Sequence, residues 1–341
     1  MFEYLLKRIG MAAVTLLVIL LVSYMLVRMA PGGPTKSSFL SQSGADASGL
    51  ASGKGAFLKN TTLEKKLHLD KPAIVGFGYW IKDVVLHGDF GDSAVVDKGR
   101  PVLDLILERL PVTLSLNICS VLVVYFLALQ IGIYSAISKS PKIDNTVTIF
   151  LFFLYSLMNV WVALLLQAAF CSGGVWEIFP LRGLEPSETW GRTTWQILWD
   201  TAMHYVLPVF CLSYAGIAGL SRYARAGMLE VIKQDYIRTA RAKGLPEFVV
   251  IFKHALRNAM IILITLFAGL LPGLVAGSII IEHIFNIPGM GSLSMMALGS
   301  RDIPVLMTLF SFGGFLTLAG ILVADLLYVV VDPRISFETK R

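Results

Sequence analysis

Charged residues are scarce in this 341-residue sequence: Asp, Glu, Lys and Arg make up 15% of it, whereas 55% of the residues are hydrophobic. The mean hydropathy is +0.71, and so few polar residues cannot cover a soluble fold of this size. The composition therefore predicts a protein whose solvent is the lipid bilayer. The net charge of +6 then indicates basic cytoplasmic loops and contact with membrane lipids rather than nucleic-acid binding.

Cysteines and catalytic signatures are equally sparse. Cys119, Cys171 and Cys211 are the three cysteines, and they lie in or beside apolar runs at no disulfide or metal-binding spacing. The sequence has no HExxH, CxxC or nucleophile-elbow pattern, and its five histidines are scattered. We therefore predict no catalytic residue, no metal site and no enzyme activity in this chain.

A complete nucleotide-binding loop is also missing. Such a loop needs Gly, four residues, Gly, Lys and then Ser or Thr, so that backbone amides can surround a phosphate. The nearest match, at residues 49–55, is one residue short and lacks the final Ser or Thr. No cofactor is therefore expected in this chain, and any use of ATP and Mg²⁺ would belong to another chain.

Six apolar stretches are long enough to be transmembrane helices. A helix rises about 1.5 Å per residue, so a hydrocarbon core about 30 Å thick requires about 20 residues. The stretches are residues 9–29, 113–137, 147–170, 205–221, 261–281 and 305–331. We predict an all-α membrane protein with six transmembrane helices. The length of the first stretch argues against a cleaved signal peptide.

Basic residues orient these predicted spans. The connection at residues 222–258 is rich in Lys and Arg, whereas Arg301 is the one basic residue of the connection at 282–304. Short connections rich in Lys and Arg remain in the cytoplasm. With six spans, a multi-pass protein with both termini in the cytoplasm is predicted.

The first connection, residues 31–112, is then a large external loop. It begins with a Ser/Gly/Ala-rich tract at residues 37–55, which predicts a flexible segment. Apolar residues between 74 and 85 recur at helical spacing and predict a helix at the membrane surface. A second short helix is predicted to start at Pro101 and to end before Pro111.

The basic connection predicts a helical hairpin. Residues 230–258 favour helix except at Gly244, Leu245 and Pro246, where glycine ends one helix and proline opens the next. A cationic hairpin of this length is either a docking surface for another protein or a solvated surface attracted to anionic lipid headgroups. The pattern alone does not choose between these two interpretations.

The hairpin resembles the cytoplasmic coupling segment of ABC importer permeases, most closely that of the dipeptide and oligopeptide branch. The likeness is carried by residues 235–244 (DYIRTARAKG) and 253–259 (KHALRNA). The general pattern is Glu-Ala-Ala, three residues and Gly, and here the first three places read Arg-Thr-Ala. Residues 30–34 (APGGP), 88–93 (GDFGDS), 108–113 (ERLPVT) and 332–335 (DPRI) are also similar to B-type peptide permeases.

Two features narrow this resemblance. Most of the branch has Pro-Gly-Asp-Pro after the first span, so Gly33 is a departure. Together with residues 179–184 (FPLRGL), it is similar to the subgroup that handles oligopeptides and microcin-C-type peptide antibiotics.

The resemblance implies a type I ABC importer permease fold with a large periplasmic loop between helices 1 and 2. It implies a permease subunit of the bacterial inner membrane that forms half of the path for peptides, whether oligopeptide, dipeptide or peptide antibiotic. The implied partners are a homologous second permease, two ATP-binding cassette subunits and a periplasmic or lipoprotein peptide-binding protein. The implied ATPase-coupling residues are Tyr236, Arg238, Thr239, Ala240, Arg241, Ala242, Lys243 and Gly244.

Chemistry on the coupling segment fits that role. Ala240 and Ala242 are small enough for close approach by a partner, and Arg241 and Lys243 supply charge. Gly244 permits the turn.

The predicted organisation is residues 1–30 for the N-terminus and first span, 31–112 for the periplasmic loop, 113–331 for the membrane core with its coupling segment at 222–258, and 332–341 for the cytoplasmic tail.

Residues flanking the last external connection resemble family motifs and are candidates for an external gate. They are Glu282, Phe285, Pro288, Gly289, Arg301 and Asp302. The structural alternative is a turn at the proline and glycine with an ion pair between Glu282 and Arg301.

Three further residues are candidates for the translocation path. Pro208 and Pro272 loosen their helices, which is tolerated where a helix faces protein or a water-filled cavity. Asp325 is a carboxylate inside a span and hence a functional candidate, with structural pairing near the cytoplasmic end as the alternative. The uncharged polar residues Asn117, Gln130, Asn159 and Gln167 can bridge helices or line a wet path, and we predict that they bridge helices.

Two other functions are alternatives for a membrane protein with this sequence. An ion-gradient-driven secondary transporter would use Asp325 or Glu282 as its coupling carboxylate, but it predicts internal repeats and further intramembrane charges, which the sequence lacks. A membrane scaffold or receptor without transport activity would use the basic hairpin only for docking.

Overall fold

The computed structural model describes residues 2–29 and 71–331, except residues 139, 172, 182, 185–191 and 271–272. The described chain is helical, and two isolated bridges are its only strand-like pairings. The first helices are α1 (Phe2–Met29), α2 (Ala73–His87), α3 (Val102–Ile137), α4 (Pro141–Ser156), α5 (Asn159–Phe170) and α6 (Thr194–Ile232). They are followed by α7 (Asp235–Ala242), α8 (Glu247–Val249), a π-helix (Val250–Ala255), α9 (Leu256–Leu270), α10 (Gly273–Ala276), α11 (Ile279–Ile284), α12 (Met290–Ser300) and α13 (Ile303–Val331).

Four of the described helices are long and apolar enough to cross a membrane. The qualifying segments are Leu6–Met29, Val102–Ile137, Thr194–Ile232 and Ile303–Val323. Helices α4 and α5 pass the same test together, although they are bent by 92°. The prediction of an all-α membrane protein is confirmed with four spans, or five if the bent pair is one. The count of six stays a prediction.

The prediction of one continuous helix over residues 147–170 is wrong. Leu157 and Met158, between α4 and α5, have extended backbone with ψ values of 131° and 124°. The hydroxyl of Tyr214, a residue only 2% exposed, donates to the carbonyl of Leu157 over 2.8 Å. This bond satisfies a carbonyl that the interruption removes from the helical ladder. A partner so distant in sequence could not be predicted from the stretch itself.

The predicted span at residues 261–281 is also interrupted. Helix α9 ends at Leu270, and the short helices α10 and α11 follow. Gly277, between α10 and α11, has a φ of 71°, in the left-handed region where a right-handed helix cannot continue. Residues 261–281 therefore do not form one continuous helix.

The prediction that a short helix ends before Pro111 is wrong as well. Helix α3 begins one residue after Pro101 and continues for 36 residues with Pro111 inside it. An interior proline removes one helical hydrogen bond. The part of α3 before Pro111 packs through Val102 and Ile106, whose exposure is 0%, so tertiary packing offsets the cost. Helix α2 confirms the helix predicted from residues 74–85.

The described chain falls into two compact units. The first comprises the residues before Val112 together with Gly289–Ala319, and the second comprises Val112–Pro288 with residues 320–331. One core of the first unit joins α3 to α12 and α13 through residues such as Ile106, Leu293 and Val305. A second core packs α1 and α2 around Tyr24 and Phe77.

Polar side chains join helices within the second unit. The amide of Asn117 donates to the carbonyl of Leu274 over 2.7 Å, and that of Gln167 donates to the carbonyl of Ile284 over 2.9 Å. Both bonds link a predicted span to the interrupted segment after α9, whose helix breaks leave backbone carbonyls to be satisfied. The prediction that amides bridge helices is confirmed for Asn117 and Gln167, whereas Oδ1 of Asn159 is buried with no hydrogen-bond partner among the described residues.

Candidate functional site: a basic hairpin and two buried carboxylates

Residues 235–255, which we call the basic hairpin, double back at Gly244. Gly244 has a φ of 76°, and its N–H donates to the carbonyl of Arg241 over 2.9 Å. Left-handed backbone of this kind is readily adopted by glycine and strained for other residues. Pro246 then precedes α8, and the chain continues directly into the π-helix. The predicted helix, turn and second helical segment are all present.

The inner face of the hairpin is apolar. Ile237 and Ala240 of α7 are 0% and 7% exposed. They pack in a floor cluster that contains Ile133, Met228, Ile237, Ala240, Val250, Ile251, Ala255 and Ala259. The floor cluster joins both arms of the hairpin to α3 and α6. Ala240 thus allows α7 to approach its own support, and its predicted role in close approach by a partner stays a prediction.

The outer face carries the charge. Arg238 and Lys243 are exposed, and Arg238 lies 3.6 Å from the carboxylate of Asp235. Arg241 binds Glu247 through two bonds, from Nε to Oε2 at 3.2 Å and from Nη2 to Oε1 at 2.6 Å. The hydrogen bond to Glu247 raises the pKa of Arg241 above its ordinary value, so the guanidinium is charged at all physiological pH values.

The remaining predicted coupling residues also lie on this outer face. Thr239 and Ala242 are exposed. Tyr236 is 42% exposed, and its hydroxyl accepts a hydrogen bond of 2.6 Å from the amide of Asn258. Asn258 belongs to α9, so this bond ties the start of α7 to the helix that follows the hairpin. No role was predicted for Asn258 itself, although it stands in residues 253–259, the second run that carries the resemblance.

Asp302 is a buried carboxylate of the first unit. It is 0% exposed and holds the loop of residues 93–96, which we call the Asp302 loop. The hydroxyl of Ser93 donates to it over 2.7 Å, and the backbone N–H groups of Ala94, Val95 and Val96 donate over 3.2, 2.9 and 3.0 Å. Hydrogen bonds to a carboxylate are stronger than those between neutral groups. Asp302 therefore fixes the backbone of this loop.

Glu282 is the buried carboxylate of the second unit. It is 0% exposed, and its Oε1 accepts a bond of 3.1 Å from the hydroxyl of Thr113. The backbone N–H of Ser278 approaches the same oxygen at 3.3 Å. The bonds join the start of α11 to the part of α3 that follows Pro111. A carboxylate withdrawn from water at the end of an apolar segment requires such partners.

The other gate candidates lie in the backbone around α11 and α12. Phe285 is 3% exposed, and its carbonyl accepts from the N–H of Gly183 over 3.1 Å. Pro288 is exposed, and Gly289 precedes α12. Arg301 ends α12 in left-handed backbone, with a φ of 55°.

The structure gives few contacts for the three candidates for the translocation path. Pro208 is buried within the continuous helix α6. Pro272 lies outside the described residues. Asp325 belongs to α13, and its side chain lies outside the described side chains.

The described residues form an exposed, charged helical hairpin that packs on the apolar floor cluster, in a protein with several apolar spans. Sequence comparison identifies the class of protein to which these features belong. The chain belongs to the family described as binding-protein-dependent transport system inner membrane component, which matches residues 128–337. The N-terminal membrane component of the same transport systems matches residues 1–117. The chain is therefore a permease subunit of an ABC importer and a multi-pass protein of the bacterial inner membrane.

Particular relatives extend over the whole chain. It is 36% identical over 337 residues to the oligopeptide transport system permease protein AppB of Bacillus subtilis, with 99% of this chain and 100% of AppB covered. It is 32% identical over 340 residues to the dipeptide transport system permease protein DppB of the same species, with both chains covered completely. It is 31% identical over 363 residues to the peptidoglycan transport system permease protein YejB of Agrobacterium fabrum, with 99% of each chain covered. This membership argues against the secondary-transporter and scaffold alternatives.

Proposed function

We propose that this permease forms half of the path by which peptides cross the inner membrane. A homologous second permease supplies the other half, two ATPase subunits supply the energy, and an external peptide-binding protein delivers the substrate. The observation that carries the proposal is full-length similarity to permeases named for oligopeptide, dipeptide and peptidoglycan transport. The narrower likeness to permeases for microcin-C-type antibiotics stays a prediction.

The outer face of the basic hairpin is the proposed contact for an ATPase subunit. Tyr236, Arg238, Thr239, Arg241, Ala242 and Lys243 present a mixed polar and cationic surface. The floor cluster supports this surface from beneath, so that force applied to α7 reaches α3 and α6. Electrostatic complementarity to an acidic groove would set the orientation of docking. Movement of the hairpin would then shift the equilibrium between inward-open and outward-open states.

The proposed topology has six spans, cytoplasmic termini and a large periplasmic loop. The basic residues of the hairpin support a cytoplasmic position for it. The external gate is proposed to include Glu282, Phe285, Pro288, Gly289, Arg301 and Asp302. The path candidates remain Pro208, Pro272 and Asp325.

A proline substitution in the hairpin turn tests the coupling. The tagged chain, co-expressed with its partner permease and ATPase subunits, is purified in mild detergent and reconstituted. We expect ATPase subunits to co-purify and peptide to stimulate ATP hydrolysis. Gly244→Pro forces a negative φ and removes the bond to Arg241, a change that costs about 3 kcal/mol locally, so the peptide stimulation should disappear.

Gly173→Pro is the matched control. Gly173 has a φ of 89°, and its N–H is also hydrogen-bonded, to Glu177 over 3.1 Å. Proline there imposes the same backbone conflict outside the hairpin, and stimulation should survive. Equal loss in both variants would contradict the assigned role of the hairpin. A chain that purifies alone and moves peptide without ATP would contradict the proposed function as a whole.

A further inference from the structure

An ion pair outside the hairpin links α4 to α6. Arg225 of α6 binds Asp144, in the first turn of α4, through two bonds: Nε to Oδ1 at 2.8 Å, and Nη2 to Oδ2. The hydroxyl of Ser135, near the end of α3, also donates to Asp144. The two charged side chains are 36% and 22% exposed. Three helices thus meet at one carboxylate, which neither the coupling segment nor the gate includes.

The backbones of α3 and α6 touch beside this carboxylate. A Cβ atom added at Gly132 would lie 2.5 Å from the Cβ of Ala224 and 2.8 Å from the carbonyl oxygen of Ser221. These separations are closer than real Cβ contacts, so neither helix can shift toward the other. Packed elements of this kind move together rather than deform continuously.

Within one helical turn of this contact, α3 and α6 also contribute residues to the floor cluster that supports the hairpin. Ile133 follows Gly132 directly, Met228 lies three residues after Arg225, and both belong to the floor cluster under Ile237 and Ala240. Movement of α7 is therefore delivered to the part of α6 that carries Arg225.

Helix α6 holds α4 at a second place. The guanidinium of Arg222 lies 4.9 Å from the ring centre of Phe152 and 5.2 Å from that of Tyr155. Cation–π contacts of this kind are attractive. One arginine binds the first turn of α4 and the other binds its last turns. Helix α4 ends at the 92° bend before α5, and the carbonyl of Leu157 at this bend also accepts from the hydroxyl of Tyr214 of α6.

We propose that Arg225 and Asp144, with Ser135, are positioning residues that make α4 move with α6 when the hairpin moves. This inference rests on the proposed coupling role of the hairpin. The pair touches neither ATP nor peptide; it determines how much of the hairpin movement reaches the membrane helices.

The test is the number of peptides transported per ATP hydrolysed by the complete complex in proteoliposomes. Asp144→Asn keeps the shape and one oxygen acceptor but removes the charge, and we expect the ratio to fall about tenfold, within the range by which connecting residues modulate coupling. ATP hydrolysis and the yield of assembled complex should be retained. Ser135→Ala removes a single hydrogen bond and should give a smaller fall.

The control is Asp200→Asn. Asp200 also lies in α6, and its carboxylate binds Arg192 at comparable exposure, 34% and 41% for the two side chains. Loss of this carboxylate charge should leave the number of peptides transported per ATP unchanged. Exchanging the charges, with Asp144→Arg and Arg225→Asp together, should recover most of the lost ratio, since interacting residues show non-additive effects.

The outcomes separate this inference from the function on which it rests. A normal ratio in Asp144→Asn, measured beside a low ratio in Gly244→Pro, overturns the role of the ion pair and leaves the hairpin its role. A lower yield of complex at an unchanged ratio shows a purely structural pair and also overturns it. If Gly244→Pro leaves the ratio unchanged too, the coupling role of the hairpin is itself wrong.

Discussion

The basic hairpin and the two buried carboxylates use charge in opposite ways. On the hairpin, Arg238, Arg241 and Lys243 lie on the exposed face, and apolar side chains hold the hairpin from beneath. Asp302 and Glu282 are both 0% exposed and meet backbone N–H or hydroxyl donors of their own unit. The exposed basic side chains remain available to a partner, whereas the buried carboxylates bind donors within the chain.

This difference predicts how each region responds to loss of a charge. Removing an inward carboxylate leaves donors without acceptors, which costs stability. Removing an outward charge leaves the fold nearly unchanged, because exposed ion pairs contribute little. Effects on the hairpin should therefore appear in association with a partner, and effects at the carboxylates should appear in the chain itself.

Asp302→Asn should have the largest effect. The amide has one oxygen in place of two, so it cannot accept from Ser93 and from all three backbone N–H groups of the Asp302 loop. We expect a loss of about 3 kcal/mol in the stability of the first unit, seen as a lower unfolding temperature of the purified complex. Asp104→Asn, exposed in the first turn of α3, is the control and should cost less than about 1 kcal/mol. Equal effects would remove the distinction between inward and outward charge.

Glu282→Gln should have an intermediate effect, on uptake rather than on assembly. Its amide keeps an oxygen for Thr113 and Ser278 but carries no charge. If the charge serves the gate, peptide uptake by proteoliposomes should fall about fivefold while the yield of complex is maintained. Thr113→Ser keeps the hydroxyl donor and should behave as the wild type. Unchanged uptake in Glu282→Gln would assign this carboxylate to structure alone.

The smallest expected effect is a difference between Arg241→Gln and Glu247→Gln in the amount of ATPase that co-purifies with the chain. Both variants remove the same ion pair, worth about 0.5 kcal/mol at an exposed site. Only the first also removes a cation from the proposed docking face. We expect Arg241→Gln to weaken co-purification of the ATPase more than Glu247→Gln does. Equal weakening would mean that the pair acts only within the hairpin.

Local chemistry allowed the hairpin to be predicted from sequence. Gly244 followed by Pro246 specifies the end of one helix and the start of another without any distant contact. The burial of Ala240 was missed because the floor cluster includes Ile133, from a helix about a hundred residues earlier. Sequence spacing identifies a small residue, but it does not show which surface that residue faces.

Non-local partners also explain the errors in the spans. The polar residues Ser156 and Asn159 flank the break at Leu157, but they do not specify it, because the carbonyl freed there depends on Tyr214 of α6. The four donors that surround Asp302 come from a loop about 200 residues away, so its burial could not be predicted either. By contrast, Pro272 was predicted to loosen the span at residues 261–281, whereas Gly277, with a φ of 71° between α10 and α11, had no predicted role.

The contact at Gly132 carries a warning for mutagenesis. An alanine scan assumes that each substitution removes atoms, so harm is attributed to an interaction that has been lost. At Gly132 the substitution adds a methyl group where Ala224 already stands 2.5 Å away, and harm there would measure crowding. A scan of this protein would therefore attribute that harm to a lost interaction, although the added methyl group would also meet the carbonyl oxygen of Ser221 at 2.8 Å, which no side-chain change at Ala224 relieves.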